Sequence, residues 1–292
     1  MKDKLLKTHE LGFLQLADLP SAEELSDYYA KSYYQNESAG YRKCYSPLEL
    51  EAIEFRIAMR NQLIKSLRPE RPGKMLDVGC GEGFTLKFYK SLGWHVTGID
   101  FSSAGVDQMN PDCASCVKQG DIFKLLKAQI ESGEKYDLVW LGNVLEHVLD
   151  PEELLEMLRR VVSPSGIAVV TVPNDANHYH ANLVEDGDVP DRFWIAIPDH
   201  ISYFNLETLE ALVCSAGWEC LATQGDFPIN IFLANECSNY VLDRARGPAA
   251  HQARLKLERV IASAGLDAAN LFYTALAGVG LGRNIVTFLR PR

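Results

Sequence analysis

Met75-Leu-Asp-Val-Gly-Cys-Gly-Glu-Gly83 is the stretch on which the fold turns. A short apolar run ends at Asp77, glycines follow at 79, 81 and 83, and a helical pattern begins beyond them. A strand leading through such a loop into a helix sets pliable backbone at the carboxyl edge of a sheet, where open α/β sheets bind ligands. Glycine lets a ligand approach the main chain closely. The spacing is GxGxG, which differs from the GxGxxG fingerprint of dinucleotide-binding proteins.

Outward from this loop, short apolar runs alternate with helical patterns. Lys74 to Val78, His95 to Ile99, Ala114 to Lys118, Tyr136 to Leu141 and Ile167 to Val172 read as strands, so βαβ units and a parallel sheet with helices on both faces are expected. Asp150-Pro-Glu-Glu opens a helix to Val162, with proline at its first position and acids in its first turn. Before the loop, Glu23 to Arg68 reads as helical, with Ser21 and Glu24 as a capping box, and Arg68-Pro-Glu-Arg-Pro-Gly73 is a boundary dense in breakers. After the last parallel strand, Asn174 to His200 reads as a long functional loop. Leu206 to Ala216 is a predicted helix and Trp218 to Thr223 a strand. Two helical stretches, Ile229 to Ala245 and His251 to Ala264, precede an apolar segment, Leu271 to Leu281, and a closing strand, Arg283 to Leu289. Three units are expected: a helical cap or lid over 1–70, a Rossmann-like domain over 71–226, and a helical insertion with the final strand over 227–292.

Composition narrows the functional classes. With 47% hydrophobic and 23% charged residues, the 292-residue chain reads as an ordinary folded protein. Asp and Glu outnumber Lys and Arg by 39 to 29, and a net charge of -10 opposes phosphate neutralisation, so no nucleic-acid partner is expected. No apolar stretch is long enough to span a bilayer and the first residues hold no apolar leader, so no membrane insertion and a cytoplasmic setting are expected. The seven cysteines, Cys113 and Cys116 included, read as packed thiols of a reducing compartment.

Charge then separates the ligands that a glycine loop can serve. Asp77 and Glu82 would repel a pyrophosphate, whereas they suit a cationic ligand such as the ammonium and sulfonium of S-adenosylmethionine. Asp100 ends the second strand, where a carboxylate can accept both ribose hydroxyls, and Asp121 follows the third, where it can accept from an adenine amino group. Acids at three successive strand ends form a set that turn or cap chemistry alone does not explain.

With these residues in place, the sequence resembles a class I methyltransferase of the seven-stranded kind. Asp77 to Gly83 is similar to the family's first motif, and Val96-Thr-Gly-Ile-Asp100, Gly120-Asp-Ile122 and Tyr136-Asp-Leu-Val-Trp140 fall where later motifs stand. Asn143-Val-Leu-Glu-His-Val148 and Gly166 to Pro173 are similar to the ubiquinone-biosynthesis O-methyltransferase branch, and His200-Ile-Ser-Tyr-Phe204 to sugar-modifying members. The zinc-binding cysteine cluster of the sugar C-methyltransferases is missing. The resemblance implies a Rossmann-like, doubly wound, seven-stranded, mostly parallel sheet. It also implies S-adenosylmethionine as cofactor, held by Asp77, Gly79, Cys80, Gly81, Gly83, Asp100, Phe101, Asp121, Ile122, Asn143 and Tyr33. The early Tyr33-Tyr34 and Tyr41-Arg42 resemble a lid over the cofactor, with aromatic helix packing as the alternative.

Methyl transfer to a hydroxyl demands alignment and removal of a proton. His200 and His147 are the candidate bases, with Glu146 beside them, because imidazole titrates near neutral pH. In some relatives a Glu-x-x-Glu-His run and a later His bind a divalent metal; here Asn143 stands for the first acid. Glu146, His147 and His200 would then be the ligands of an ion such as Mg2+, with one carboxylate fewer to hold it. His178, Tyr179, His180, Arg192, Phe193 and Trp194 are candidates to line an acceptor pocket. The expected reaction is methylation of an oxygen, in preference to a nitrogen, of a small polar metabolite such as a sugar or sugar nucleotide in carbohydrate biosynthesis. The rivals are an NAD-dependent oxidoreductase on a similar sheet and a non-catalytic methyltransferase-like binding subunit. Self-association through the C-terminal helices is also expected.

Overall fold

The computed structural model describes residues 5–21, 23–25, 44–68 and 72–292. Tyr33, Tyr34, Tyr41 and Arg42 lie outside them. The chain opens with β1 (Leu6–Thr8) and β2 (Leu14–Leu16), an antiparallel hairpin turned at Gly12, whose φ of 87° requires glycine. Within the helical cap expected over 1–70, this opening stretch is corrected from helix to hairpin: Phe13 is driven into the main core, 5.1 Å from the ring of Phe204, and the strands follow on either side of the Gly12 turn. The Ser21–Glu24 capping box is present, Ser21 N donating to Glu24 at 2.8 Å and Glu24 N to Ser21 Oγ at 3.2 Å.

Helix α1 (Pro47–Leu67) starts on a second capping box, Ser46 with Glu49, with Pro47 in its first turn. Then come β3 (Lys74–Val78), α2 (Phe84–Ser91), β4 (His95–Asp100), α3 (Ala104–Met109), β5 (Val117–Gln119), α4 (Ile122–Glu131) and β6 (Tyr136–Gly142). Asp150 caps α5 (Pro151–Val161), its Oδ1 accepting from Glu153 N at 2.8 Å, as its sequence predicts. The buried Leu154, Leu155, Leu158 and Val161 make one helical face, each worth about 1.5–3 kcal/mol on burial. The chain continues through β7 (Val162–Pro173), α6 (His178–Glu185), β8 (Ser202–Tyr203), α7 (Leu206–Ser215), β9 (Trp218–Gly225), α8 (Gly247–Ser263), α9 (Leu266–Gly278) and β10 (Asn284–Pro291).

Seven strands form the main sheet in the order β5-β4-β3-β6-β7-β10-β9, all parallel except β10, which runs antiparallel between β7 and β9. The expected doubly wound sheet is therefore present. Its inserted antiparallel strand departs from the 3-2-1-4-5-6 order of the dinucleotide fold. Side chains alternate along β6 and β7. Val139, Leu141, Ala168 and Val170 enter one core with α4, α5 and α7, while Leu138, Trp140, Ile167 and Val169 enter another with α1 and α2. Among the described residues no helix is long and apolar enough to cross a membrane.

Two further expectations shift. The 174–200 connection contains α6, started by Asn177 Oδ1 accepting from His180 N at 2.8 Å. Ile229 to Ala245, expected as helix, is instead a run of single 3-10 turns. Asn235 accepts from Cys237 N, Asn239 from Val241 N and Leu242 N, and Asp243 from Ala245 N, so short polar side chains compete with a helical ladder.

Candidate active site

The glycine loop needs its glycines. Gly79, Gly81 and Gly83 hold φ of 70°, 54° and 74°, and a Cβ on Gly79 would stand 2.3 Å from Val144 Cγ2. Asp100 shapes the same loop: Oδ2 accepts from Gly81 N at 2.9 Å and Oδ1 from Ser102 N at 3.1 Å. Asp77 is buried against it, and burial first, then the charge of Asp100, pushes its carboxyl up to about 8. Burial likewise pushes the Cys80 thiol up, aided by Asp77 and Asp100, so Cys80 packs as a neutral group. Asp121 caps α4, Oδ1 accepting from Lys124 N at 2.9 Å, with the buried Ile122 next to it, and Phe101 packs against the core. Asn143 is exposed just past β6 with φ of 54°, a conformation asparagine tolerates.

Asp77, Gly79, Cys80, Gly81 and Gly83 line a cavity of about 450 Å3. Its far wall is one the sequence reading missed: Ile53, Arg56, Ile57 and Arg60 of α1, His251 and Arg254 of α8, with Trp140 and Gly142 at the end of β6. Carboxylates thus face guanidiniums across the space. Arg60 pairs with Asp226, which also accepts from Asn284 Nδ2 at 2.9 Å, and Arg60 Nε is buried with no hydrogen-bond partner. Burial would raise Asp226, but Arg60 and Arg56 hold its carboxyl below the usual carboxylate range. Arg56 Nη1 meets Glu258 at 2.9 Å, His251 Nε2 meets Glu49 at 2.8 Å, and Tyr45 donates to Glu82 at 2.7 Å. One signal was legible: two arginines at i, i+4 on the same stripe as Ile53 and Ile57.

The expected catalytic residues come together beyond β6. His147 Nε2 lies 3.7 Å from Glu146 Oε1, and the rings of His147 and His200 meet edge to face at 5.0 Å. His147 Nδ1 is 2.7 Å from the Asp199 carbonyl, which can only accept, so Nδ1 is placed to donate there. The hairpin sets this geometry: Leu16 N donates to Ile201 O at 2.9 Å, and Ile201 N donates to Glu146 O at 2.8 Å. Burial opposes charging of His200, yet Asp175, Glu146 and Asp199 outweigh it and raise its pKa above the ordinary 6.5. Burial raises Glu146 above the usual carboxylate range, and its Oε2 has no hydrogen-bond partner. Asp175, 3.5 Å from His200, was missed, although it is a fourth acid at a strand end, two residues past β7.

Glu146, His147 and His200 each offer one ligand atom within 4.8 Å of the others, a cluster of two imidazoles and one carboxylate. That donor set does not fit Mg2+, which takes oxygen ligands; two imidazoles and one carboxylate suit zinc or iron(II). The loop residues divide differently from expectation. His180 is 1% exposed, Nδ1 at 2.8 Å from Asp175 O, Nε2 at 2.5 Å from Asn230 Nδ2, and stacked on Trp194 at 5.1 Å. It fastens the loop instead of lining a pocket.

Comparison with known proteins follows the same residues. The sequence model of the family described as "Methyltransferase domain" matches residues 53–223, more than half the chain. The mitochondrial ubiquinone biosynthesis O-methyltransferase of Homo sapiens is 33% identical over 176 residues, covering 54% of this chain and 46% of the relative. The ubiquinone biosynthesis O-methyltransferase of Azorhizobium caulinodans is 32% identical over 162 residues, covering 53% and 62%. The chain thus spans about half the length of the curated relatives it matches. Among solved structures, a SAM-dependent methyltransferase from Archaeoglobus fulgidus superposes with a TM-score of 0.51 at 21% identity, covering 82% of this chain and 94% of that one. The plantazolicin methyltransferase, solved with SAH, gives 0.51 at 11% identity, covering 92% and 98%. The glycine-loop chemistry, the sheet order and the family match converge: the chain belongs to the methyltransferase-domain family and has the class I S-adenosylmethionine-dependent methyltransferase fold.

Proposed function

We propose that this chain transfers a methyl group from S-adenosylmethionine to an oxygen of a small polar acceptor, a sugar or sugar nucleotide. The observation that carries the reading is the cavity at the glycine loop, carboxylates on one wall and guanidiniums on the other, which matches a ligand bearing both an ammonium and a carboxylate. Bound there, the cofactor supplies an electrophilic methyl group on a sulfonium.

The chain's own residues do the rest. Asp77 and the Gly79 to Gly83 backbone receive the ammonium end, and Arg60, with its spare Nε, receives the carboxylate. Asp100 receives the ribose hydroxyls and Asp121 the adenine amino group, with Phe101, Ile122 and Asn143 flanking. Tyr33 stays the proposed lid residue. His200 accepts the proton of the acceptor hydroxyl, His147 orients that hydroxyl, and Glu146 stabilises the charged imidazole. Expulsion of water and alignment are the remaining work of the site. Seven free cysteines accord with a reducing, cytoplasmic setting. Val260 and Leu271, 66% and 74% exposed on α8 and α9, offer the surface for self-association, which light scattering would read.

A labelled-methyl transfer assay tests the reading. Sugar nucleotides, free sugars and phenolic acceptors would be run in parallel, the last because the matched relatives are named for ubiquinone biosynthesis. Label in the sugar arm supports it; label only in the phenolic arm replaces the acceptor class. No transfer with retained cofactor binding turns the chain into a binding subunit. A chelator arm reads whether Glu146, His147 and His200 hold an ion.

A further inference from the structure

The corner after β7 holds a buried charge that methyl transfer, as described, leaves without a task. Asp175 is 1% exposed, and its Oδ1 accepts from Arg283 Nη1 at 2.8 Å while Oδ2 faces His200 Nδ1 at 3.5 Å. Its main chain is fixed on both sides: N donates to Phe204 O at 3.0 Å, and O lies 2.8 Å from His180 Nδ1. Asn174, beside it, donates through Nδ2 to Gly280 O at 3.1 Å and Gly282 O at 3.2 Å, and through N to Arg283 O at 3.0 Å.

Taking a carboxylate out of water costs several kcal/mol, and the Arg283 guanidinium paired with Asp175 is itself 37% exposed, so the pair recovers little of that cost. Stability alone therefore gives no reason to hold Asp175 here. Its orientation gives one. His200 Nδ1 is buried and has no hydrogen bond, and Asp175 Oδ2 is aimed at it. A separation of 3.5 Å is long for a hydrogen bond, and such contacts tighten when the reacting groups arrive.

We infer that Asp175, locked by Arg283, is a positioning residue for His200: it keeps the proton on Nδ1 and turns the Nε2 lone pair toward the acceptor. The inference rests on His200 being the base. In the step, the acceptor oxygen forms its bond to the methyl carbon as the S–C bond breaks, its electron pair staying on sulfur. The hydroxyl proton passes to His200 Nε2 and then to solvent, while Nδ1–H points at Asp175 throughout. Arg283 immediately precedes β10, so the junction closing the C-terminal insertion is wired to the base.

Nitrogen-15 NMR of histidine-labelled protein tests this without turnover, the His200 signals being assigned by their loss in His200→Gln. Wild-type His200 in its neutral form is expected as the Nδ1–H tautomer; the Nε2–H tautomer would overturn the inference, and that result does not depend on the stability of any Asp175 or Arg283 variant. Asp175→Asn is expected to shift the tautomer toward Nε2–H and to lower kcat by at least about tenfold, with KM and S-adenosylhomocysteine affinity within about twofold. Arg283→Gln should give a smaller loss of the same kind, and Arg283→Lys should restore part of it. Unchanged tautomer and kcat in Asp175→Asn would contradict the assignment. If His200→Gln itself turns over normally, the base assignment fails instead, whatever the tautomer.

Discussion

The cavity at the glycine loop and the histidine cluster beyond β6 share one sheet edge but are assembled differently. The first grows from a contiguous run, Asp77 to Gly83, closed by two helices, and is roomy and divided by charge. The second draws on Glu146 and His147, Asp175, Asp199 and His200, and is small and nearly closed, with His147 and His200 side chains 11% and 14% exposed. A cofactor common to many enzymes needs a fixed cradle; an acceptor particular to one enzyme is met by parts that can vary independently. If this division is real, substitutions should damage cofactor binding and turnover separately.

The largest effect is expected at Gly79. A valine there would place Cβ against Val144 at a φ that β-branched residues avoid, combining overpacking of about 1–3 kcal/mol with backbone strain of about 1–3 kcal/mol. Gly79→Val should abolish S-adenosylhomocysteine binding by calorimetry; retained affinity would mean the loop does not hold the cofactor. Next, His200→Ala should lower kcat by roughly 10²–10⁴-fold with cofactor affinity nearly unchanged. Near-normal turnover would remove His200 from the chemistry. Its pH dependence has a fixed sign. His200 must be neutral to accept a proton and its pKa is raised above 6.5, so kcat/KM should climb with pH through a midpoint above 6.5; a limb falling over that range would exclude it as base.

Legibility in the sequence followed the same line. The glycine loop was readable because its residues are neighbours in the chain and the acids at 77, 100 and 121 stand at or beside the ends of strands whose apolar runs announce them, whereas the wall that α1 and α8 contribute was not. The histidine cluster was readable only in part. His147 and His200 stood out by type, but the Arg283 that holds Asp175 beside His200 reaches it from 108 residues away in the chain, through a β7–β10 pairing that no local pattern encodes. The hairpin was lost for another reason: strands of three residues are too short for periodicity to outweigh their surroundings. The helix expected over Ile229 to Ala245 failed because Asn235, Asn239 and Asp243 accept from nearby backbone N–H groups.

A smaller effect probes that hairpin. Phe13→Ala removes a buried ring and should cost about 3–5 kcal/mol of stability. Because β2 holds β8 and, through Ile201, Glu146, kcat should fall by about tenfold while cofactor affinity holds; equal loss of both would deny the hairpin a role confined to the acceptor half. The smallest expected signal is a proton. With its carboxyl near 8, Asp77 is mostly protonated at pH 7, and a bound ammonium favours its ionised form. Cofactor binding at pH 7 should therefore release close to one proton, fading by about pH 9 as Asp77 becomes ionised beforehand. Calorimetry in buffers of different ionisation enthalpy would measure it, and proton uptake at pH 7 would contradict the assignment.

The most direct test is calorimetric titration of the full chain with S-adenosylhomocysteine and, separately, with NADH. The acids of the glycine loop predict saturable one-to-one binding of the first and none of the second, with thermal stabilisation of about 2.7 kcal/mol at a hundredfold excess over Kd. Binding of NADH without S-adenosylhomocysteine would contradict the central claim that Asp77, Asp100 and Asp121 make this loop a seat for a cationic adenosyl cofactor.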